Sequence, residues 1–212
     1  MRTITVQGHG TASRPPDQIR INMALGQKDT EFSNAIANCN RRVAQIKAAA
    51  KMAMVDESSL KTANFGVEVD SEWNIEERKH FEVGFIARQS VFVILPWEKE
   101  SVGKFLSAII QCGAEPRITL TFMVSDAEGL RQEVIANAVE NAKRRAAIIA
   151  SSAGIKLGLI QQINYGYSEI RVTSEPSELG EAYSRRSMSP PDIDPDDVES
   201  DDTVTLMWLI EG

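Results

Sequence analysis

The chain has 212 residues, of which 42% are hydrophobic and 25% are charged, a composition typical of a globular protein that buries a core. Its formal net charge is -7, and residues 169–202 hold eleven acidic residues against three arginines. The rest of the chain is therefore close to neutral and offers no basic surface for nucleic acid.

Thiol and imidazole groups are scarce. Cys39 and Cys112 are too few for a disulfide framework, and with His9 and His80 they are the only soft metal ligands of the chain. We therefore predict no cofactor and no metal site. Met1 leads directly into a strand pattern, and no apolar segment has signal-peptide character or membrane-spanning length, so we predict a cytoplasmic location without a membrane span.

The first elements are two strands and a helix. Alternation over 3–13 and 18–28, separated by Pro15-Pro16, predicts a hairpin with one solvated face. Apolar residues then recur at helical spacing over about 30–54, with Asp29 or Thr30 as the N-cap. Cys39 lies on the apolar stripe and is interpreted as a buried structural thiol.

Two more strands, two helices and the last strands follow. We predict strands at 60–73, 81–95, 117–124, 157–168 and 203–210, and helices at 98–112 and 127–153. The strand at 81–95 is the most apolar and is expected to be central in its sheet. Gly113 and Gly154 are placed to end the two helices, and Asp126 to begin the longer one.

Residues 169–202 are rich in Ser, Pro, Glu and Asp and interrupt the last two strands. A connection of this length and composition favours a solvated, mobile loop over a folded element. Such an acidic loop could also dock a basic protein partner.

Gly8-His9-Gly10 follows a strand, as a phosphate-binding loop would. The third glycine of that motif is missing, however, and a strand follows instead of a helix. A twist or bulge in the strand is the better interpretation of these glycines.

Ser58-x-x-Lys61 and Ser101-x-x-Lys104 both match the Ser-Lys acylation pair. The first lies in a loop, where the spacing does not align the two groups, and the second has no companion motif. Neither pair is predicted to be catalytic.

The acidic run from Asp192 to Asp202 invites a calcium site. An EF-hand loop from Asp192 would need Gly and Glu at its sixth and twelfth positions, where the chain has Asp197 and Thr203. A solvated charge run is favoured over a weak cation site. No catalytic, cofactor-binding or metal-ligating residue is assigned.

Several segments, taken in order, resemble the SIMPL-domain (DUF541) family. The N-terminal segment is similar to the family's "V-x-G-x-G … P-D" opening, and the segment after residue 137 to its "A-x-x-x-A-R-x-K-A" helix and "G-x-x-L-G" turn. The matching segments are Ile4 to Asp17, Asn40, Leu60 to Thr62, Gly84 to Ala87, Gly113 to Ile118 and Ala138 to Gly158.

The resemblance implies no established catalytic residues. Family members include bacterial envelope proteins linked to oxidative-stress defence, a periplasmic antigen that forms a large channel-like oligomer, and an animal protein associated with an inflammatory-signalling kinase. We expect this chain to depart from the pattern in having no signal peptide, and the usual glycine after the first helix is replaced near Met54 or Val55.

We therefore predict an α+β fold, a two-layer sandwich of mixed or antiparallel sheets with three helices in two intertwined subdomains. Residues 1–60 and 126–212 are expected to form an outer subdomain that includes the acidic loop, and 61–125 an inserted one.

The predicted function is that of a non-enzymatic, homo-oligomeric scaffold or binding protein with a stress-related role. The strands at 3–13 and 83–95 are expected to offer ladder edges to other subunits. The alternative is a small-molecule-binding protein or enzyme with a pocket between the subdomains.

Overall fold

The computed structural model describes residues 2–74, 77–166, 170–179 and 193–211. It contains three helices and, within those ranges, eight strands, beside a short 3-10 turn at Glu57–Ser59. Their bounds are β1 Thr3–Arg14, β2 Gln18–Asp29, α1 Phe32–Met52, β3 Lys61–Asn74, β4 Lys79–Pro96, α2 Lys99–Gln111, β5 Arg117–Met123, α3 Ala127–Ala153, β6 Lys156–Asn164, β7 Ser177–Leu179 and β8 Val198–Glu211. The predicted α+β class with three helices and antiparallel sheets is confirmed.

One compact unit comprises Met1–Asp17, Met123–Ser174 and Pro195–Gly212. Its sheet has the order β1-β8-β6, and β1 pairs with β8 antiparallel from Thr3 to Arg14. One face of α3 packs on this sheet and forms a core from small helical residues and larger strand residues. That core contains Val6, Ala138, Ala142, Ala146, Val204, Leu206 and Trp208.

The other unit comprises Gln18–Phe122 and Glu175–Asp194. Its sheet has the order β3-β4-β2-β5-β7, with α1 and α2 contributing the helical side of the core. β2 supplies alternate buried residues, among them Ile19, Ile21 and Met23. The alternation predicted for this strand is thus explained by burial of one face.

The predicted hairpin is wrong, and the compact units differ from the predicted subdomains chiefly in that residues 18–60 belong with 61–122. β1 pairs with β8 and β2 pairs with β4, so the two strands belong to different sheets. α1 packs on β2 and β4 rather than joining α3, and both α1 and β2 fall in the unit with β3, β4 and α2. Local alternation predicts a strand and its buried face, but its partner is chosen by long-range packing.

The predicted helix ends are largely confirmed. Asp126 caps α3 by accepting a hydrogen bond from the backbone nitrogen of Gly129, and Gly154 closes that helix at a left-handed φ of 69°. Gly113 follows α2 with a φ of 75°. α1 differs, because its N-cap is Glu31, and Asp29 instead accepts hydrogen bonds from the Glu31 backbone and from Asn38.

The described parts of the acidic segment, 170–179 and 193–202, contain strand and buried residues that the prediction of a solvated loop did not include. Ile170 is buried, Thr173 bridges to Met123, and β7 pairs with β5. β8 begins at Val198, five residues earlier than predicted, because Val198, Ser200 and Asp202 alternate inward. Residues 180–192 and 167–169 lie outside the described ranges.

Candidate functional site

Both Ser-Lys pairs are used in local structure. Ser58 lies in the short 3-10 turn, where its hydroxyl donates to the carboxylate of Asp56. In α2 the Ser101 hydroxyl donates to Glu98 at 2.9 Å, while Lys104 pairs with Glu100 at 2.7 Å. These bonds direct the serines and the second lysine to carboxylates and supply no activated nucleophile.

The acidic run faces solvent on one side of β8. Glu199 and Asp201 are exposed, whereas Asp202 is buried and accepts a hydrogen bond of 2.8 Å from the Tyr165 hydroxyl. Within the described ranges, His, Cys, Asp and Glu residues do not gather into a group that could hold a metal ion. Asp192, the first residue of the tested calcium loop, lies outside those ranges.

The thiols and imidazoles are separated in the fold. Cys39 is fully buried, as predicted, and burial raises the pKa of its thiol, which disfavours the nucleophilic thiolate. Burial also raises the pKa of Cys112, whose thiol donates to the carbonyl of Ile109. His9 lies in β1, and His80 packs edge-on against Trp73 with ring centroids 5.0 Å apart.

Gly8 and Gly10 allow α3 to approach β1 at backbone contact distance. A Cβ atom on Gly8 would lie 2.5 Å from the nitrogen and 2.7 Å from the Cβ of Ala142, and one on Gly10 would lie 2.9 Å from the Cα of Ala138. The register of β1 with β8 is uninterrupted, so of the two interpretations, a twist or a bulge, the bulge is wrong. The glycines and the alanine face of α3 are two halves of one packing contact.

Three side chains of α3 bind backbone groups at the outer edge of β1. Asn141 accepts a hydrogen bond from the backbone N–H of His9, while Asn137 and Arg145 donate to the carbonyls of Thr11 and Gln7. These residues are spaced by four along α3 and therefore share one helix face. Strand 3–13 does form an edge of its sheet, as predicted, but three of its outward backbone groups, at Gln7, His9 and Thr11, already bind side chains of α3.

Asp17, which ends the N-terminal motif, ties the segment after β1 to the segment before α3. Its carboxylate accepts hydrogen bonds from the backbone nitrogen of Ser125, at 2.7 Å, and from the Ser125 hydroxyl. These bonds hold the pKa of Asp17 below its usual range. Its own N–H donates to the carbonyl of Met123, so the residue acts as a structural clasp.

β3 forms one edge of the five-stranded sheet and runs for 14 residues. Phe65, Val69 and Trp73 on this strand have exposed fractions of 49%, 49% and 54%. Phe65, Val67 and Val69 lie opposite Gln89, Ala87 and Phe85 of β4. Since Ala87 is buried in the core, these three side chains lie on the helix-covered face of the sheet.

β4 lies between β3 and β2, which confirms its predicted central place in the sheet. The expectation that strand 83–95 offers a ladder edge is wrong for the same reason. Both edges of β4 are paired over most of its length, and its side chains Val91 and Val93 are buried, as is typical of an inner strand.

The other sheet edges are shorter or irregular. β7 has three residues, and the nine-residue β6 contains register shifts on both sides of Ile160 in its pairing with β8. β6 nevertheless exposes Leu159 and Ile163, at 77% and 63%. Short strands and bulges both reduce the tendency of an edge to pair with another chain.

An apolar groove of about 1090 Å³ lies between α1 and α2. Its floor consists of small residues, including Ala49, Gly103 and Ala108. Met52 and Met54 stand at its rim with exposed fractions of 84% and 95%. Met54 has a left-handed φ of 62°, at the place where the sequence departs from the glycine of the resembling family.

Sequence reasoning missed both the β3 edge and this groove. β3 was predicted as a strand, but its alternation does not show which neighbours it has. The two methionines after the α1 stripe were the available signal for the groove.

Helices of the described residues include no segment long and apolar enough to cross a membrane.

Comparison with protein families gives a match over nearly the whole chain. Residues 4–208 match the model of the SIMPL family, described as a protein of unknown function (DUF541). No curated protein matches the chain at a significant level. The match spans both compact units and includes the glycine strand, the Asp17 clasp and the alanine face of α3, and the chain belongs to the SIMPL family.

Proposed function

We propose that this protein is a non-enzymatic, self-assembling scaffold or binding protein that associates through the edge of β3. The observation that supports this proposal is the half-exposed apolar face of a 14-residue edge strand. An edge strand presents unpaired N–H and C=O groups that can extend the sheet into another chain.

The absence of an enzymatic role is supported by what the family-motif residues do. Gly8 and Gly10 make room for α3, and Asp17 binds Ser125. Gly84 has a φ of 155° and lies where a Cβ atom would be 2.5 Å from the Asp29 carbonyl oxygen. Each of these four positions therefore has a structural reason for its residue type.

Burial of the exposed apolar side chains at this edge supplies only part of the free energy that association requires. Full burial of a large apolar side chain is worth about 1.5–3 kcal/mol, so completing the burial of Phe65 and Val69 in two copies contributes roughly 4 kcal/mol. Loss of translational and rotational freedom costs about 4–15 kcal/mol. Ladder hydrogen bonds and further contacts must supply the remainder, and we expect the oligomer to depend on protein concentration.

Light scattering over a wide range of concentrations tests the proposal. The wild-type protein should show a mass above that of one chain, and Phe65→Lys with Val69→Lys should lower it. The matched control is Leu159→Lys with Ile163→Lys on β6, which adds the same charges to another exposed apolar edge and should leave the mass unchanged. A wild-type monomer at every concentration would contradict self-assembly, and dissociation by the β6 substitutions alone would contradict the assignment to β3.

A second candidate function is the binding of a small apolar molecule in the groove between α1 and α2. The volume and largely apolar lining of this groove favour it. Native mass spectrometry of the same sample distinguishes the two functions, because a retained ligand adds a discrete mass to each subunit. Docking of a basic partner on the acidic segment, the stress-related role and the cytoplasmic location stay predictions from the sequence.

A further inference from the structure

The regularly paired part of β3 is centred on one residue. Its pairing with β4 is shifted between Thr62 and Asn64 and again between Asp70 and Ser71. Seven residues, 64–70, lie between these irregularities, and Val67 is the middle one. An antiparallel pair of identical strands related by a two-fold axis at Val67 would use all seven, whereas any other centre would use fewer.

The side chains of this stretch are complementary to themselves in that register. Phe65 would lie opposite Val69 of the second copy, an aromatic and β-branched pair of the kind that stabilises neighbouring strands. Both residues are about half exposed in the single chain, so each has surface left to bury. A shift by one residue would put the apolar faces of the two copies on opposite sides of the joined sheet.

The charges allow the same register. Glu68 would lie opposite Gly66, and Asp70 opposite Asn64, so no like charges would face each other. Each acid also has a partner within its own chain, because Arg88 binds Glu68 at 2.6 Å and Lys28 binds Asp70 at 2.7 Å. A two-fold axis at Glu68 would instead place two carboxylates opposite each other, which is destabilising.

We propose that β3 pairs antiparallel with β3 of a second copy of this chain, with the two-fold axis at Val67, to form one continuous ten-stranded sheet. This inference rests on the proposed self-assembly and adds its partner strand and its register. The helix-covered faces of the two copies then lie on the same side of the joined sheet, with Phe65, Val67 and Val69 along the seam.

Site-directed disulfide cross-linking tests the register. In a background with Cys39→Ala and Cys112→Ala, Val67→Cys should form a covalent dimer on mild oxidation, since residues opposite each other have Cβ atoms about 4.5–5.5 Å apart. Phe65→Cys alone should not, because its two copies would be about 13 Å apart along the strands. Phe65→Cys mixed with Val69→Cys should restore the cross-link. Light scattering of each variant before oxidation shows whether it still assembles.

The outcomes separate this inference from the proposed function. Cross-linking by Val67→Cys and by the mixture, but not by Phe65→Cys alone, is the expected result. An assembled protein in which Phe65→Cys cross-links with itself, or in which neither Val67→Cys nor the mixture does, would overturn the register and leave self-assembly standing. A protein that stays monomeric in all variants and in the wild type would remove both proposals.

Discussion

Replacing Gly8 by alanine is expected to separate α3 from β1 and to destabilise the unit that contains them. The added Cβ atom would lie 2.5 Å from the Ala142 nitrogen and 2.7 Å from the Ala142 Cβ. Ordinary contacts between such atoms are about 3.5–4.0 Å, so the helix or the strand must move by roughly 1 Å. Moving α3 also strains the hydrogen bond from His9 to Asn141.

The size of the effect follows from comparison with other strand glycines. Overpacking in a well-packed region costs about 1–3 kcal/mol, and the Gly8 substitution should reach the upper end because it meets backbone atoms that cannot rotate away. Gly158→Ala, whose Cβ would lie 3.1 Å from the Leu209 Cβ, should cost roughly 1 kcal/mol. Gly26→Ala, with 4.0 Å to the Arg88 guanidinium, should change the free energy of unfolding by less than about 0.5 kcal/mol.

Urea denaturation followed by tryptophan fluorescence and circular dichroism measures this series. Trp208 is buried in the same cluster as Ala138 and Ala142, so its emission reports on the contact between α3 and the sheet. The free energies of unfolding should fall in the order Gly26→Ala, Gly158→Ala, Gly8→Ala. A Gly8→Ala protein as stable as Gly26→Ala would refute the view that the glycine motif serves close helix packing.

Two other substitutions test single features. Met54→Gly should stabilise the protein by about 0.5–1 kcal/mol, visible as a higher melting temperature, because glycine avoids the left-handed strain of Met54 and this gain exceeds its entropic cost; an unchanged or lower melting temperature would contradict this. Asp17→Asn should cost about 1 kcal/mol near neutral pH after allowance for solvent exposure, since the amide replaces a charged acceptor of two hydrogen bonds from Ser125. Because the folded-state pKa of Asp17 is lowered, its contribution is complete above the unfolded pKa of about 3.9 and is lost as pH falls through the folded value. Urea denaturation at several pH values should therefore show the gap between wild type and variant closing below about pH 4, and a gap independent of pH would count against the clasp.

Much of the secondary structure could be predicted, and the reason is local. α3 spans the predicted residues 127–153, and α1, β3 and β5 begin and end within a few residues of their predictions, because periodicity and end signals are written in neighbouring residues. β7 was missed because its three residues form a strand only where β5 provides a partner. The first residues of β8 were missed because Ser200 and Asp202 are polar residues in buried positions. There Ser200 donates a hydrogen bond to the Arg171 carbonyl, and Asp202 accepts one from the Tyr165 hydroxyl.

The candidate site was harder to predict, since it depends on β3 lying at the edge of its sheet. The sequence of β3 predicts a strand with Phe65, Val67 and Val69 on one face, but the same pattern would suit an inner strand. The edge of β1 differs, because three of its outward backbone groups bind Asn137, Asn141 and Arg145, which lie more than a hundred residues away in the chain.

The sequence by itself determined the fold class, the family and the places where helices begin and end, since hydrophobic period, capping residues and glycines act over a few residues. Only the tertiary structure decided that β1 and β2 lie in different sheets and that β3 keeps an exposed edge. Which strands pair depends on which arrangement buries their apolar faces, and the residues that meet in that arrangement are far apart in the chain.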